Sequence, residues 1–465
     1  GLTLAEFQAD PRANPFVHDE FDVYRWAVSA THAWQANATS ELKTSVYYTY
    51  FDRDWWRQSS NSNQRPNDSS DPACGSLANL STTCGNEGRL RQFWTAGFEP
   101  RLTTQLPLFG LANETVLGAR VHIENQYRVQ ANGDTPDART PGVGPNAGIR
   151  EDNTRDVEAL AAFWQTRFDF GRASIVPGLR YEHIDYEREN FMNGARGETS
   201  LTEWIPGLGL TFSVRDGVTL FTGAHRGFAP PRVEDVISAT GGSVELDAES
   251  SWNYELGVRA AVRPGVNVEA TAFRLDFENQ ILPASIAGGI GATLTSAGET
   301  LHQGVELAVG FESQSLIATS YNLYARLAYT WLAEAEFRGV RLSSIPGFTG
   351  VSVSGNRLPY APEHIANMAI GIEAARGVRF QVDGSYTSSA FTDDLETLDI
   401  SANGQRGRIG GYTVWNATAE YAFADGFSLF ASAKNLTDKL YVADMTRGLI
   451  PGHPRLLQAG FEYRF

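Results

Sequence analysis

The sequence predicts an all-β fold, a transmembrane antiparallel β-barrel, and three observations lead to that prediction. Apolar and polar residues alternate with a period of two over most of the 465 residues, as in strands that separate an apolar from a polar medium. The connections alternate between short turns and long polar stretches, the pattern of an outer-membrane barrel. No stretch approaches about 18 consecutive apolar residues, and a chain that crosses a bilayer without a helix must close into a barrel.

The alternating segments are the predicted wall strands, and YNLYARLAYTW, FRLDFENQ and WNATAEYAF show the pattern most clearly. The final segment, LLQAGFEYRF, alternates to its end, with Leu457, Ala459, Phe461, Tyr463 and Phe465 on one face. We expect this strand to pair with the first strand, which closes the wall, and to keep its lipid face apolar to the last ring. About 17 such segments begin near residues 21, 40, 89, 114, 155, 172, 202, 217, 250, 266, 300, 319, 363, 377, 411, 427 and 455.

The connections between the segments predict which rim of the barrel carries loops. Short links occur at Asp216-Gly217, Pro264-Gly265, Arg376-Gly377 and Asp425-Gly426. Long polar links fall near 53–88, 130–152, 187–200, 228–249, 281–299, 336–361, 388–410 and 438–454. A propeller would show a repeat of about 40 to 50 residues, which is absent, and a soluble sandwich of so many strands would have to hide its edges. The barrel is therefore the favoured interpretation.

Composition and net charge limit the classes of function that this chain can have. Gly (45), Phe (26) and Tyr (17) are abundant and Met (3) is scarce, which suits strands and turns. The net charge of -16 argues against a nucleic-acid partner, because phosphate binding requires a basic surface. The two cysteines, Cys74 and Cys84, lie in the polar stretch CGSLANLSTTC and predict a disulfide formed in an oxidising compartment. Two unpaired loop thiols are the alternative.

Six stretches in the C-terminal half resemble the TonB-dependent outer-membrane receptors, in particular the ferric citrate receptor branch. They are ESSWNYELGVR, FENQI, HQGVELAV, LPYAPEHIANM, NLTDKLY and GHPRLLQAGFEYRF, and RLRQFWTAGFEPRL with DWWRQ extends the likeness towards the N-terminus. The resemblance implies a barrel of about 22 strands, a globular plug and a TonB box. It also implies the outer membrane of a Gram-negative bacterium as the location.

The predicted extent of the barrel differs from that of the family. Bacterial single-chain barrels have an even number of strands with both termini on the short-turn side. Here the count is odd, and the chain opens with the polar stretch GLTLAEFQADPRANPF on the long-loop side. We expect residues 1–465 to form a partial TonB-dependent receptor barrel, without the plug and without about five of the family's strands.

Candidate ligand-binding residues are arginines in the long loops, because ferric citrate and similar ferric siderophores are anionic. The first long loop carries Arg53, Arg57, Arg65, Arg89 and Arg91, and the second carries Arg150 and Arg155. By the resemblance, Arg91 occupies a ligand arginine position and Gln280 a ligand-contacting glutamine position. The alternative is that these arginines solvate the rim or pair with nearby acids, where each contributes little.

Two tryptophans at the same rim, Trp55 and Trp56, could contact a ligand, but a place in the aromatic girdle at the membrane interface is favoured. The histidines are scattered, and H-E-x-x-H, C-x-x-C and G-x-S-x-G motifs are absent, so the sequence predicts neither an enzyme nor a resident metal or cofactor. Iron would be bound only as a transported chelate.

Three hypotheses about function remain. In the first, the chain is the barrel of a TonB-dependent receptor for a ferric chelate, with the TonB–ExbB–ExbD complex as its partner through a plug. In the second it is a passive, substrate-selective pore, and in the third a non-functional barrel fragment. A monomer surrounded by outer-membrane lipid and lipopolysaccharide is expected.

Overall fold

The structure is a computed structural model that describes residues 1–14, 17–58, 86–135, 137–144, 147–243, 248–278, 281–282, 295–296, 298–315, 320–343, 345, 347–374, 377–424 and 426–464. Seventeen strands form one antiparallel sheet, as the sequence predicts. Three two-stranded pairs lie in the long connections: Ile281–Leu282 with Thr295–Ser296, Ala390–Phe391 with Arg408–Ile409, and Val442–Asp444 with Ile450–Pro451.

The wall strands are numbered in chain order. They are β1 (Glu20–Asn37), β2 (Ser40–Gln58), β3 (Asn86–Thr104), β4 (Ala112–Asn132), β5 (Gly148–Asp169), β6 (Ala173–Asn190), β7 (Ala195–Arg215), β8 (Val218–Ala229), β9 (Glu249–Arg263), β10 (Val266–Glu278), β11 (Glu299–Glu312), β12 (Tyr321–Arg338), β13 (His364–Ala374), β14 (Val378–Thr387), β15 (Tyr412–Ala424), β16 (Phe427–Lys434) and β17 (Leu456–Tyr463). Each pairs with the next along the chain, so the wall is a continuous meander. The predicted pairing of the last strand with the first is wrong: within the residues that the structure describes, β1 and β17 are the two edges of this sheet and do not pair with each other.

The outer face of the sheet is apolar and exposed, as a wall in contact with lipid requires. On β7, Leu208 and Phe212 are 46% and 47% exposed, and β8 and β9 continue this face. On β17, the predicted outward residues Leu457 and Phe461 are 70% and 74% exposed, and the residues between them on this edge strand are mostly exposed as well. Phe465 lies outside the described residues.

The loop prediction near 187–200 is wrong. β6 continues to Asn190 and β7 begins at Ala195, so the connection is a four-residue turn, 191–194. The strands extend into water here and carry polar groups on both faces, for example in the Glu189–Arg196 ion pair of 2.7 Å. A strand end that is polar on both faces loses the period-two signal and resembles a loop in the sequence.

The connection between β8 and β9 folds against the inner face of the sheet. A first short helix, α1 (Leu4–Ala9), precedes the wall strands. The connection between β8 and β9 contains the second, α2 (Val233–Val236). Val233 and Val236 of α2 pack with Ile184 and Tyr186 of β6 in a buried apolar cluster. No helix in the described part of the chain is both long and apolar enough to span a membrane.

The N-terminal segment docks against the last long connection. Thr3 and Glu6 form a capping box at the start of α1. The backbone of Leu2 exchanges two hydrogen bonds of 2.7 Å with Leu449, and both side chains are buried with Met445. This packing fixes the loop between β16 and β17 beside the inner face of the sheet.

Candidate functional site: an arginine cluster on the inner face

Strand register places arginines beside one another at the long-loop end of β2 to β6. Arg53 is opposite Arg91, which in turn is opposite Arg128, and Arg155 is opposite Arg188. All five lie on the inner face, since the residues between them along each strand belong to the outer face. The arginine cluster is defined as Arg53, Arg57, Arg89, Arg91, Arg128, Arg155 and Arg188.

Glu87 holds two members of the cluster. Its Oε1 accepts a hydrogen bond of 3.0 Å from Arg57 Nη2 and a second from Arg89 Nε. The Arg57 guanidinium also lies 4.6 Å from the centre of the Trp55 ring, a cation–π contact, and its side chain is 1% exposed. One buried carboxylate thus serves two guanidinium groups, which leaves a net positive charge.

Glu151 on β5 holds three members. Its Oε2 accepts from Arg91 Nη2 and its Oε1 from Arg155 Nη2, both at 3.0 Å, while Arg128 Nε lies 3.6 Å away. Arg91 also donates to the carbonyl of Val129 at 2.8 Å, and its side chain is 2% exposed. Hydrogen bonds to β4 and to β5 therefore hold the Arg91 side chain in place.

A third carboxylate reaches the cluster from the connection that contains α2. Glu234 Oε1 accepts a hydrogen bond of 2.9 Å from Arg128 Nη1, and its Oε2 lies 2.5 Å from Arg155 Nη1. Arg188 contacts the same connection, since its Nη1 donates to the carbonyl of Ile237 at 2.9 Å. The inward fold of this connection thus completes one side of the site.

Positive charge exceeds negative charge in direct contact with the cluster, with seven arginines against the three glutamates Glu87, Glu151 and Glu234. The last long connection adds Arg447. Burial lowers the pKa of Arg447, and the nearby positive charge of Arg89 lowers it further. Like charges held together away from water favour the binding of an anion, whose charge relieves their repulsion.

Several guanidinium N–H groups in the cluster are left without a hydrogen-bond acceptor, which such an anion would supply. Within the described residues, the buried nitrogens Arg53 Nε, Arg128 Nε, Arg155 Nη1 and Arg188 Nε have no hydrogen-bond partner. The ion contact between Arg155 Nη1 and Glu234 is short but poorly aligned for a hydrogen bond. Arg53 has no carboxylate partner in this part of the chain and lies 5.7 Å from the Trp55 ring centre.

The structure brings together five of the predicted ligand residues and separates others. Arg53, Arg57, Arg89, Arg91 and Arg155 belong to the cluster. Arg150 is exposed at an irregularity of the register between β4 and β5. Arg65, Gln280, Cys74 and Cys84 lie outside the described residues.

The two tryptophans have different surroundings from those of a lipid-facing girdle. Trp55 lies under the guanidinium of Arg57, on the side of β2 that carries the cluster. Trp56 is 5% exposed. Aromatic contact with arginine rather than with lipid headgroups accounts for Trp55.

Sequence reasoning missed Arg128, Arg188 and the three glutamates. Alternation alone assigns Arg128 to the same face of β4 as Gln126 and Gln130, but it does not give the register that sets it beside Arg91. Within the described residues, no group of three or more His, Cys, Asp or Glu side chains could hold a metal ion. The arrangement is suited to a polyvalent anion with several oxygens.

Comparisons with known proteins agree with this fold. The solved structure of the ferric citrate transporter FecA, unliganded, superposes with a TM-score of 0.78 at 23% identity, covering 100% of this chain and 65% of that one. The siderophore receptor PiuA of Acinetobacter baumannii gives 0.74 at 15% identity, covering 96% and 65%. The ferric enterobactin receptor PirA of Pseudomonas aeruginosa is 23% identical over 324 residues, 64% of this chain and 39% of that protein.

The fold is thus the β-barrel fold of these two superposed proteins. The chain belongs to the TonB dependent receptor-like β-barrel family, whose model matches residues 3–436. It spans about two fifths of the length of the curated relative and about two thirds of the superposed chains.

Proposed function

We propose that this barrel is part of an outer-membrane receptor that takes up an anionic ferric chelate, ferric citrate or a similar siderophore. The observation that carries the proposal is the arginine cluster, in which seven guanidinium groups on the inner face meet only three glutamates. Family membership supports a receptor or transporter rather than an enzyme. The similarity to FecA supports ferric citrate as the first chelate to test.

Binding would use the unoccupied donors first. The N–H groups of Arg53, Arg155 and Arg188 that lack partners would bind the anionic oxygens of the chelate in charge-assisted hydrogen bonds. Glu87 and Glu151 would keep the remaining guanidinium groups in place. The receptor we propose also has a plug, engages TonB–ExbB–ExbD through it, and acts as a monomer in outer-membrane lipid and lipopolysaccharide.

The proposal is tested by titrating the purified chain in detergent with ferric citrate, using Arg53→Gln and Arg188→Gln. Each substitution should weaken binding about tenfold, the scale of one lost hydrogen bond to a charged group. Arg196→Gln is the matched control, because Arg196 is 66% exposed, lies at the same rim and pairs with Glu189 outside the cluster.

Equal affinity of all four proteins would remove the cluster from the binding site. A wild-type chain that fails to bind ferric citrate, yet conducts small anions across a planar bilayer without saturation, would support the passive pore instead.

A further inference from the structure

Two glutamates contact the same pair of arginines but are held in different ways. Glu151 belongs to a wall strand, whereas Glu234 belongs to α2, in the connection that folds inward. Glu151 accepts hydrogen bonds of 3.0 Å from Arg91, Arg155 and Asn153. Within the described residues, Glu234 accepts one aligned hydrogen bond, that from Arg128. Glu234 is therefore the more weakly held carboxylate.

The contact between Glu234 and Arg155 is incomplete. The two atoms lie 2.5 Å apart, yet Arg155 Nη1 has no aligned acceptor among the residues that the structure describes. Arg155 is 3% exposed, so this N–H group is buried. A buried donor without an aligned acceptor costs free energy, and an acceptor in better geometry would recover it.

Glu234 could leave the cluster without unfolding its helix. Val233 and Val236, on either side of it in α2, are each 3% exposed and pack in the apolar cluster on β6. Ile237, which follows the last residue of α2, is fully buried. The Glu234 side chain itself is 25% exposed, so rotation about its own bonds can carry the carboxylate into solvent. The backbone stays in place while Arg128 Nη1 and Arg155 Nη1 lose their contacts with Glu234, and Glu151 keeps its own contacts with both arginines.

From these contacts we infer that Glu234 is a displaceable carboxylate that occupies part of the ligand site and gives way to a carboxylate of the incoming chelate. This inference rests on the proposed function. Together with Glu151, Glu234 neutralises Arg128 and Arg155 in the unliganded barrel. A ligand must offer an anionic oxygen pair to replace it, so the site selects ferric chelates with uncoordinated carboxylates over chelates without them.

The test is a titration of the full chain in detergent with ferric citrate, comparing wild type with Glu234→Gln. The amide keeps the size of the side chain but removes the charge that competes with the ligand. Affinity should rise about tenfold, which corresponds to about 1.4 kcal/mol. Glu187→Gln is the matched control, since Glu187 is exposed at the same rim and its loss changes the net charge equally. It should leave affinity within about twofold of wild type.

Each outcome of this titration supports or overturns the inference that Glu234 is displaceable. Tighter binding by Glu234→Gln alone supports the inference, and unchanged or weaker binding overturns it while leaving the proposed function intact. If neither wild type nor variant binds ferric citrate, the proposed function fails and this inference fails with it. If Glu234→Gln does not fold, Glu234→Asp takes its place, because the shorter acid withdraws from Arg155. Affinity no higher than wild type in that variant overturns the inference.

Discussion

Arg91 on β3 and Glu151 on β5 meet across the strand that separates them, with Arg91 Nη2 3.0 Å from Glu151 Oε2. The intervening strand contributes Arg128, whose Nε lies 3.6 Å from the same carboxylate. This relationship joins three wall strands by charge as well as by backbone pairing. It also makes the geometry of the proposed ligand site dependent on one glutamate.

Arg91→Gln should weaken binding of ferric citrate about tenfold in a titration of the purified chain. The substitution removes the charge-assisted hydrogen bond by which Arg91 holds Glu151, and it frees Glu151 to compete with the ligand for Arg155. Arg91→Lys should not restore the affinity, because an ammonium group cannot bond Val129 and Glu151 in the planar geometry of the guanidinium. Unchanged binding by Arg91→Gln would exclude this residue from the site.

Glu151→Gln should destabilise the barrel by about 3 kcal/mol in urea unfolding from lipid vesicles. It leaves the buried Arg91 without its carboxylate and Arg155 with Glu234 as its remaining one, and an uncompensated buried charge is costly. Glu198→Gln, at an exposed position of β7, is the control and should change the free energy of unfolding by less than about 0.5 kcal/mol. Similar values for the two variants would show that Glu151 does not organise the cluster.

Gly118→Ala should destabilise the wall by about 1 to 3 kcal/mol, because a Cβ at this position would overlap the ring of Phe163 on β5. That ring is fixed between Arg101 and Arg180, at 5.4 and 5.3 Å from its centre. Gly310→Ala is the matched control, since its Cβ would meet open space.

A double-mutant cycle with Phe163→Leu checks the cause of that loss. The smaller side chain should recover most of the destabilisation caused by Gly118→Ala. If the cycle shows no coupling energy between the two positions, overlap with the Phe163 ring is not the cause of the destabilisation by Gly118→Ala.

Leu2→Ser should loosen the connection between β16 and β17. Leu2 is 3% exposed against Leu449 and Met445, and a polar group there removes about 2 kcal/mol of local stability. Amide hydrogen exchange in residues 442–451 should accelerate about thirtyfold. Leu436→Ser, at a 43% exposed position of the same connection, should leave exchange in that segment unchanged. Equal exchange in the two variants would show that the N-terminal segment does not hold this loop.

Strand number and facing could be predicted because the wall strands place an apolar side chain at every second position, on the exposed outer face of the sheet. Leu208, Leu210 and Phe212 of β7 illustrate the pattern, since they are exposed while the residues between them are partly buried. The arginine cluster could be predicted only in part. Arg128 and Arg188 become its members through register, which sequence alternation does not encode.

The role of Glu234 in the site could not be predicted from the sequence, for a different reason. It lies on a helix of four residues, Val233–Val236, too short to leave a helical period in the sequence. Its place beside Arg155 follows from the inward fold of a long connection, which depends on apolar contacts with β6. At 191–194 the error was the opposite one, since strand residues were predicted to be a loop. The strand ends there are polar on both faces, so the sequence shows no alternation of apolar and polar residues.

The most direct test of the central claim is the position of bound iron. Crystals of the chain grown with ferric citrate, measured at the iron absorption edge, should give one anomalous peak on the inner face, beside Arg53, Arg155 and Arg188. A peak elsewhere on the barrel, or binding in solution with no peak near these guanidinium groups, would contradict the assignment of the arginine cluster as the chelate site.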